Sequence, residues 1–327
     1  MRPPLRLPGS GRGRNVVALG GGHGLAATLQ ALRRVTDNLT AVVGVADDGG
    51  SSGRLRSEFG VLPPGDLRMA LAALCGDDTW GRTWEQVIQH RFGGGGDLSG
   101  HSMGNLLITA LWEQTDDPVA GLDWVAALLE AHGRVLPCST VPLTIVAEIL
   151  GHDPTRPNDL TVVRGQVDVA TTPGSVVQIS LDPGNPPACP EAIGAIGEAD
   201  AIVLGPGSWF TSVIPHLVIP ELARAITESS AQRIVVLNLN PQRGETSGFV
   251  AHTYLDVLYN YLPDLRIDTV IADRHHVNDM PALEKSAADL GAGLFVTDVA
   301  HLGRAGAHDP QRLAVAFDTV LAGDAGA

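Results

Sequence analysis

The sequence predicts an α/β protein with a Rossmann-like, mostly parallel sheet. Two glycine-rich stretches each follow a short apolar run, as they do after strands in such sheets. The runs are Val16 to Leu19 and Leu39 to Ala46, and the segment Leu25 to Arg34 between them has helical spacing. Together they form a βαβ unit, whose right-handed crossover would bring both glycine-rich stretches to one edge of the sheet.

Composition limits the classes of partner. The chain has 327 residues and a formal net charge of −14, so we expect neither a nucleic-acid partner nor an anionic membrane surface. It has no apolar run long enough for membrane insertion, which needs roughly 18 residues. The three cysteines are far apart and match no zinc or disulfide spacing, which favours a reducing cytoplasm. Lys285 is the only lysine, so backbone amides, helix N-termini or arginines would have to hold a phosphate.

Changes of periodicity along the chain predict its organisation. Residues 1–14, rich in Pro, Gly and Arg, are interpreted as a disordered tail, and residues 15–322 as a single α/β domain. A helical insertion is expected over about 63–135, and a small antiparallel β meander over about 141–182, where apolar and polar residues alternate. Later strands are predicted at Ala201–Leu204, Arg233–Leu239, Ile267–Ala272 and Leu294–Val296, and a final helix at Pro310–Leu321.

The first glycine cluster fits a dinucleotide-binding fingerprint, Gly22-x-Gly24-x-x-Ala27. An acid, Asp47, follows at the end of the next predicted strand, close to where such folds bind a ribose hydroxyl. Glycines let backbone amides approach a pyrophosphate at the positive end of the helix. The alternative interpretation is a tight strand-to-helix turn without a ligand.

The second stretch, Val45 to Arg56, is interpreted as a loop, because glycines, serines and two adjacent acids interrupt any periodic pattern. Asp47 and Asp48, with Ser51, Ser52 and Arg54, are a set that can hold Mg²⁺, a ribose diol or a phosphate. A turn with a solvated salt bridge is the alternative.

Two motifs lie in the predicted helical insertion. Asp66 is expected to cap a helix after a Pro-Pro-Gly turn, and Arg68 in the first turn indicates an anionic partner. Gly100 to Gly104 matches the G-x-S-x-G elbow of α/β hydrolases, but the preceding residues are not a strand, so hydrolase chemistry is not favoured. His101 and Asn105 are better placed at a helix start, offering polar groups to a ligand.

A further anion cradle is predicted after the strand Ala201–Leu204, in Gly205 to Ser212, where a plain left-handed turn is the alternative. The polar segment Asn238 to Gly248 also follows a strand and is less specific. His275 and His276 lack the other ligands of a metal site.

These motifs, taken in order, resemble those of the gluconeogenesis-factor (YvcK-like) branch of the CofD-like family. The matching segments are GGGHGL at 20–25, VADDGGSSGRLR at 45–56, PPGDLR at 63–68, LSGHSMGNL at 98–106, GPGSWFTS at 205–212 and GET at 244–246. The resemblance implies a Rossmann-related cytoplasmic protein that binds a UDP-sugar such as UDP-N-acetylglucosamine. It also implies a regulatory role in cell shape and cell-wall synthesis on gluconeogenic carbon sources, through a partner that the sequence does not identify.

The related branch implies an alternative. Its members are 2-phospho-L-lactate transferases, which use a nucleotide-activated phospholactate and Mg²⁺, and in that case Asp47 and Asp48 would position the metal. The double-Gly, double-Ser form of the Asp47 segment is similar to the non-enzymatic branch, so no catalytic residue is assigned. A nicotinamide-dependent enzyme, the third possibility, has no recognisable hydride-transfer residues here.

Three departures from the family pattern concern His23, Phe249 and Ala307, which stand where relatives commonly have threonine, tyrosine and a basic residue. We expect a homodimer only because twofold oligomers are common. The predicted nucleotide- and phosphate-binding residues are Gly20, Gly21, Gly22, His23, Gly24, Asp47, Asp48, Gly49, Gly50, Ser51, Ser52, Arg54, Asp66, Arg68, His101, Asn105, Gly205, Gly207, Ser208, Thr211 and Ser212.

Overall fold

The computed structural model describes residues 13–242 and 244–323. The predicted tail over 1–14 lies almost wholly outside the described residues. The division into this tail and one domain over 15–322 therefore stays a prediction.

Strands and helices alternate along most of the chain. In chain order the described strands are β1 (Val16–Gly20), β2 (Leu39–Val43), β3 (Arg134–Pro137), β4 (Thr144–Leu150), β5 (Leu160–Arg164), β6 (Ser175–Asp182), β7 (Ala201–Leu204), β8 (Gln232–Val236), β9 (Thr269–Asp273) and β10 (Gly293–Thr297). The described helices are α1 (Gly22–Leu32), α2 (Gly50–Phe59), α3 (Gly65–Ala73), α4 (Thr79–Gln89), α5 (Met103–Thr115), α6 (Pro118–Leu128), α7 (Gln166–Thr171), α8 (Pro190–Gly197), α9 (Ile214–Val218), α10 (Pro220–Glu228), α11 (Ala251–Tyr261), α12 (Met280–Asp289) and α13 (Pro310–Ala322). A short π-helix, Trp209–Val213, precedes α9.

The predicted parallel sheet is confirmed. Within the described residues its strand order is β10-β9-β8-β7-β1-β2-β3, and every pair is parallel. All residues of β1, β2 and β9 are buried, as expected for strands covered by helices on both faces. The chain builds outward from β1 to β3 and then returns to the other side of β1 with β7. The carboxyl ends of β1 and β7 therefore mark a topological switch point, where ligands bind in open α/β sheets.

Local sequence signals explain where several helices begin. Asp117 precedes Pro118 and accepts the first amides of α6, and Asp309 precedes Pro310 and does the same for α13. Helix α1, which starts at the switch point, packs against α3 and α13. None of the helices in the described part of the chain has both the length and the apolar character needed to cross a membrane.

The small antiparallel sheet is also confirmed, but its connectivity differs from the predicted meander. Its order is β5-β4-β6, so the first strand in sequence lies in the middle. Residues 166–171, which lie within the predicted meander, form α7, which carries the chain from β5 to β6. Strand β3 was not predicted, because its four residues are too few to establish a periodic pattern.

The interpretation of 45–56 as a loop is wrong in its second half, because α2 begins at Gly50. Ser51, Ser52 and Leu55 are buried on the inner face of α2. A Cβ on Gly53 would stand 2.0 Å from the carbonyl oxygen of Asp48. The glycine therefore permits a close approach of two backbone segments, and tertiary packing outweighs the weak helix propensity of the sequence.

Candidate functional site

The two loops at the switch point are in direct contact. A Cβ on Gly24 would lie 1.9 Å from the carbonyl oxygen of Pro206 and 2.8 Å from the Cα of Gly207. Gly24 belongs to the first turn of α1, and Pro206 and Gly207 follow β7. Only a residue without a side chain allows this approach, so glycine at position 24 brings the start of α1 against the β7 loop.

A cavity of about 750 Å³ opens beside this contact. The segments after β1, β7, β8 and β10 line it, together with residues of α3 and of the connection between α4 and α5. Its lining residues are His23, Gly24, Ala26, Ala27, Gln30, Arg68, Met69, Gln89, Arg91, Pro206, Gly207, Asn238, Leu239, Asn240, Pro241, Gln242, His301, Arg304, Gly306, Ala307, His308 and Pro310.

The charge of this lining is opposite to that of the whole chain. Among the described residues that line the cavity there are three arginines and three histidines, and no aspartate or glutamate. The chain as a whole has 36 acidic and 22 basic residues. The first turn of α1, which adds the positive end of a helix dipole, also reaches this lining through His23 and Gly24. The cavity is therefore suited to an anionic ligand.

Arg68 is the buried arginine of this set. Only 6% of it is exposed, and its Nε donates to Oδ1 of Asn105 at 3.0 Å. Burial and the nearby positive charge of Arg91 lower the pKa of Arg68 to about 10, against the smaller opposite effects of Asp66 and Asp47. A buried guanidinium beside a second arginine is an arrangement that an anion in the cavity would stabilise.

A hydrogen-bonded chain connects Arg68 to three further residues of the predicted site. Asn105 Nδ2 donates to Ser51 Oγ at 3.1 Å, and Ser51 Oγ lies 3.0 Å from His101 Nδ1. All four side chains are buried. Burial, followed by the charge of Arg54, lowers the pKa of His101, which favours a neutral ring. These residues do not line the cavity except for Arg68, so the network positions that arginine.

Asp66 does not cap its own helix, contrary to the prediction. The N-cap of α3 is Pro64, and no side chain bonds the first turn there. The carboxylate of Asp66 instead lies against the start of α1, where a Cβ on Gly21 would stand 2.5 Å from its Oδ2. Burial and the charge of Asp47 raise the pKa of Asp66 to about 7. The role of Asp66 was predicted wrongly because the segment it contacts is more than forty residues away in sequence. The pattern of neighbouring residues contains no information about such a distant contact.

The two acids after β2 have separate internal partners. Asp47 Oδ1 accepts the amide of Gly49 at 3.0 Å. Asp48 uses both carboxylate oxygens, each at 3.0 Å, to bind the amides of Gln166 and Val167 at the start of α7. This arrangement does not fit a metal held by the Asp47–Asp48 pair, and no group of three or more His, Cys, Asp or Glu side chains in the described part of the chain forms a metal-binding cluster.

Gly207, Phe210 and Thr211 of the predicted cradle after β7 also have polar groups paired within the protein. The Asn238 side chain accepts the Gly207 amide at 2.8 Å and donates to the Gly207 carbonyl at 2.7 Å. The buried carboxylate of Glu245 accepts the amide of Phe210 at 3.1 Å and the hydroxyl of Thr211 at 2.6 Å. Burial raises the pKa of Glu245. Glu245 therefore occupies the position at this turn where an anion was expected.

The predicted residues thus fall into two groups. His23, Gly24, Arg68 and Gly207 line the cavity. The rest lie outside its lining: Gly20, Gly21, Gly22, Asp47, Asp48, Gly49, Gly50, Ser51, Ser52, Arg54, Asp66, His101, Asn105, Gly205, Ser208, Thr211 and Ser212. The binding role of both groups stays a prediction.

Other lining residues stand outside the predicted set, although the segment Asn238 to Gly248 was noted as a less specific polar segment after a strand. Asn238 to Gln242 follow β8, and His301 to His308 follow β10, so both segments lie at carboxyl ends of parallel strands. Their position at the ends of predicted strands was the signal in the sequence that could have identified them as site residues. No such signal identifies Arg91, because it lies in an irregular segment between two helices.

The chain is similar to known proteins along nearly its whole length. A sequence model of the family described as 2-phospho-L-lactate transferase CofD matches residues 16–307. A protein of Mycobacterium tuberculosis, provisionally named a gluconeogenesis factor, is 51% identical over 315 residues, which are 95% of this chain and 92% of the relative. A protein of Halalkalibacterium halodurans named gluconeogenesis factor is 36% identical over 266 residues, covering 81% of this chain and 79% of that one.

A solved structure gives the same result for the fold. The crystal structure of a member of the UPF0052 family from Bacillus halodurans superposes with a TM-score of 0.82 and 32% sequence identity. The superposition covers 93% of this chain and 98% of that one.

Proposed function

Because this chain belongs to the CofD family, in its gluconeogenesis-factor branch, we propose that it is a regulatory protein that binds a nucleotide sugar of the UDP-N-acetylglucosamine type. The ligand occupies the cavity at the ends of β1 and β7. The regulated process is cell shape and cell-wall synthesis during growth on gluconeogenic carbon sources, and this part of the proposal rests on family resemblance alone.

The charge of the cavity is the observation that supports the proposal most. Among the described residues, the lining has three arginines and no acid, and in a chain of net charge −14 this favours a ligand that carries several negative charges. In the proposed complex Arg68 and Arg91 bind the diphosphate, and the first-turn amides of α1 approach it from the other side.

The size of the cavity also supports a ligand larger than inorganic phosphate. Its volume of about 750 Å³ lies within the range that holds whole small molecules, which is roughly 300–1,000 Å³. A base, a ribose, two phosphates and one further sugar are of that order. The neutral polar side chains of Asn238, Asn240 and Gln242 provide hydrogen-bonding groups for the uncharged parts.

A phospholactate-type transferase is the second candidate, favoured by the description of the matching family. Its Mg²⁺ would supply charge neutralisation at the transferred phosphate. Asp48, which the sequence analysis assigned to that metal, is bonded to the start of α7 through both oxygens. The regulatory role is therefore preferred for this chain.

Calorimetry separates the two candidates. The wild-type protein is titrated with UDP-N-acetylglucosamine, GDP and NAD, each with and without Mg²⁺. Binding of the UDP-sugar without metal, and no product after prolonged incubation, supports the regulator. Binding of GDP that requires Mg²⁺ supports the transferase, and no binding tighter than millimolar by any of the three contradicts nucleotide binding.

A pair of arginine variants tests whether the ligand binds in this cavity. Arg91→Ala should weaken UDP-N-acetylglucosamine binding about tenfold or more, the equivalent of about 1.4 kcal/mol. Arg82→Ala removes an exposed arginine on α4 that does not line the cavity, and should leave the affinity unchanged. Equal affinities for the two variants would contradict binding in this cavity.

A further inference from the structure

A second cavity lies beside the first. Its volume is about 220 Å³, and four consecutive residues, Asn238 to Pro241, line both cavities. The start of α11 and the segment that follows β9 form its other walls. Among the described residues that line it, none is an arginine, lysine, aspartate or glutamate, whereas the first cavity has three arginines. A ligand that spans both cavities would therefore place its charged part in the first and an uncharged part in the second.

His276, in the wall of the second cavity, is held by a buried aspartate. Its Nδ1 lies 2.8 Å from Oδ1 of Asp273, whose side chain is 1% exposed at the carboxyl end of β9. Oδ1 also accepts the amide of His275 at 2.9 Å, and Oδ2 accepts the amides of Val299 and Ala300, each at 2.8 Å. Four donors therefore fix this carboxylate, and the carboxylate fixes the His276 ring.

These hydrogen bonds determine which nitrogen of the ring carries the proton. Burial raises the pKa of Asp273, but the hydrogen bonds from His276 and the three backbone amides outweigh that effect and lower the pKa to about 2. The ionised carboxylate can only accept, so Nδ1 of His276 is the donor. In the neutral ring, Nε2 then has no proton and is an acceptor.

Nε2 of His276 is accessible. The His276 side chain is 28% exposed and lines the second cavity. In the described part of the chain no hydrogen bond reaches Nε2, and this atom is not one of the buried atoms that lack a partner. The second cavity therefore contains an oriented acceptor that a donor group of a ligand can reach.

The other groups of the second cavity suit a flat heterocycle. Phe249 lines it, and the ring of Phe249 packs edge to face against Phe210 and Tyr254, with ring centroids 6.0 and 5.3 Å apart. Asn240 and Asn278 add exposed side-chain amides, which can donate to ring carbonyls or accept from ring N–H groups. Proteins bind nucleobases with this combination of an aromatic side chain and polar groups that contact the edge of the base.

Nucleobases differ in the ring nitrogen that they present on this edge. Uracil and guanine carry an N–H there, whereas cytosine and adenine have an unprotonated nitrogen, which cannot bond to an acceptor. Resting on the proposed function, we infer that the second cavity holds the nucleobase of the ligand, and that Nε2 of His276 accepts the ring N–H of uracil and so discriminates against cytosine.

UDP and CDP test this inference, because they have the same charge and the same ribose and differ only on the edge of the base. Calorimetry is carried out at pH 8, which favours the neutral form of histidine. We expect wild-type protein to bind UDP about tenfold or more tightly than CDP. Pyrophosphate, which has no base, reports on the first cavity alone.

A matched pair of substitutions tests His276 itself. In His276→Asn the amide nitrogen can replace Nδ1 and keep the bond to Asp273, while no atom replaces Nε2. We expect UDP binding to weaken about tenfold or more, and the affinities for CDP and pyrophosphate to change less than about twofold. In His276→Gln the amide can present either its oxygen or its nitrogen at the position of Nε2, so UDP and CDP should bind within about threefold of each other. His252→Asn, on α11 and outside both cavities, should change none of these affinities.

Three outcomes overturn the inference while leaving nucleotide binding intact. Equal wild-type affinities for UDP and CDP exclude an acceptor that reads the base. An equal loss for UDP and CDP in His276→Asn means that His276 has a structural role only. A loss for UDP-N-acetylglucosamine without a loss for UDP places the sugar in the second cavity.

The failure of the proposed function gives a different result. In that case the wild-type protein binds neither UDP nor UDP-N-acetylglucosamine, and this inference fails with it. Should His276→Asn not fold, the wild-type comparison of UDP with CDP and the His276→Gln variant still decide between the outcomes.

Discussion

Asn238 binds both backbone groups of Gly207 with its side-chain amide. The carbonyl oxygen of the amide accepts from the Gly207 N–H at 2.8 Å, and the amide nitrogen donates to the Gly207 carbonyl at 2.7 Å. A residue that follows β8 thereby fixes the loop that follows β7. The same β7 loop contacts Gly24 at the start of α1, so three segments of the cavity wall depend on one another.

Replacing Asn238 should loosen this wall. Asn238→Ala leaves two backbone groups of Gly207 without their partner, and we expect the free energy of unfolding to fall by about 2 kcal/mol. Urea unfolding measures the change. Asn240→Ala, at an exposed asparagine two positions further on, is the control and should cost less than about 0.5 kcal/mol. Similar costs for both variants would show that the amide pairing contributes little.

A methyl group at position 24 should not fit. Because a Cβ there would stand 1.9 Å from the Pro206 carbonyl oxygen, Gly24→Ala must push the β7 loop away from α1. We expect a loss of stability on the order of 1–3 kcal/mol and weaker UDP-sugar binding. Gly93→Ala provides the comparison, since no atom lies within 4 Å of a Cβ at that glycine. If the Gly24→Ala variant were as stable as the Gly93→Ala variant, that result would argue against the contact.

Asp66 should make stability depend on pH. Its pKa is about 7 in the folded protein and near the ordinary 3.8 when unfolded, so between these values the folded state holds a proton that the unfolded state lacks. Stability from this group therefore falls as pH rises from about 4 to about 7 and stays low above it. Asp66→Asn removes the effect, and its advantage over wild type should be about 2 kcal/mol larger at pH 8 than at pH 5.

Urea unfolding at the two pH values measures the advantage. The same change of chemistry at the exposed residue 97, Asp97→Asn, controls for the loss of one negative charge. A pH-independent effect of Asp66→Asn would mean that the carboxylate ionises as it does in the unfolded chain.

Asn105 should be needed to hold Arg68. Its side chain accepts from Arg68 and donates to Ser51, and only 1% of it is exposed. Asn105→Ala leaves a buried guanidinium without this acceptor, so we expect a loss of about 2–3 kcal/mol in unfolding free energy and a lower affinity for the UDP-sugar. Glu113→Ala, on the exposed side of the same helix, should change neither quantity, and a loss at residue 105 no greater than at residue 113 would exclude the positioning role.

The sequence was sufficient for the architecture. Apolar runs such as Val16 to Leu19, followed by glycines and a helical pattern, predicted the parallel sheet and placed a site at its carboxyl edge. Helix α2 could not be predicted from the sequence, because glycines and serines have weak helix propensity. Its helical form depends on the burial of Leu55 and its neighbours, which only the structure shows. Local pattern carries no information about tertiary packing.

Individual site residues were harder to identify for a related reason. The glycine-rich loops drew attention to Asp48 and Thr211, whose polar groups are bonded within the protein. Arg91 and His308 lie in irregular segments, where no periodicity distinguishes a cavity residue from a surface one. Which side chains remain unpaired depends on contacts across the whole fold.

The opposite signs of the chain and its cavity have a consequence for kinetics. At low ionic strength the net charge of −14 acts over a Debye length of roughly 30 Å at 0.01 M salt and repels an approaching diphosphate. At physiological salt that length falls to about 8 Å, while the arginines act at contact distance and are screened less. Added salt should therefore increase the association rate of such a ligand, whereas most proteins that steer charged ligands lose rate under the same change.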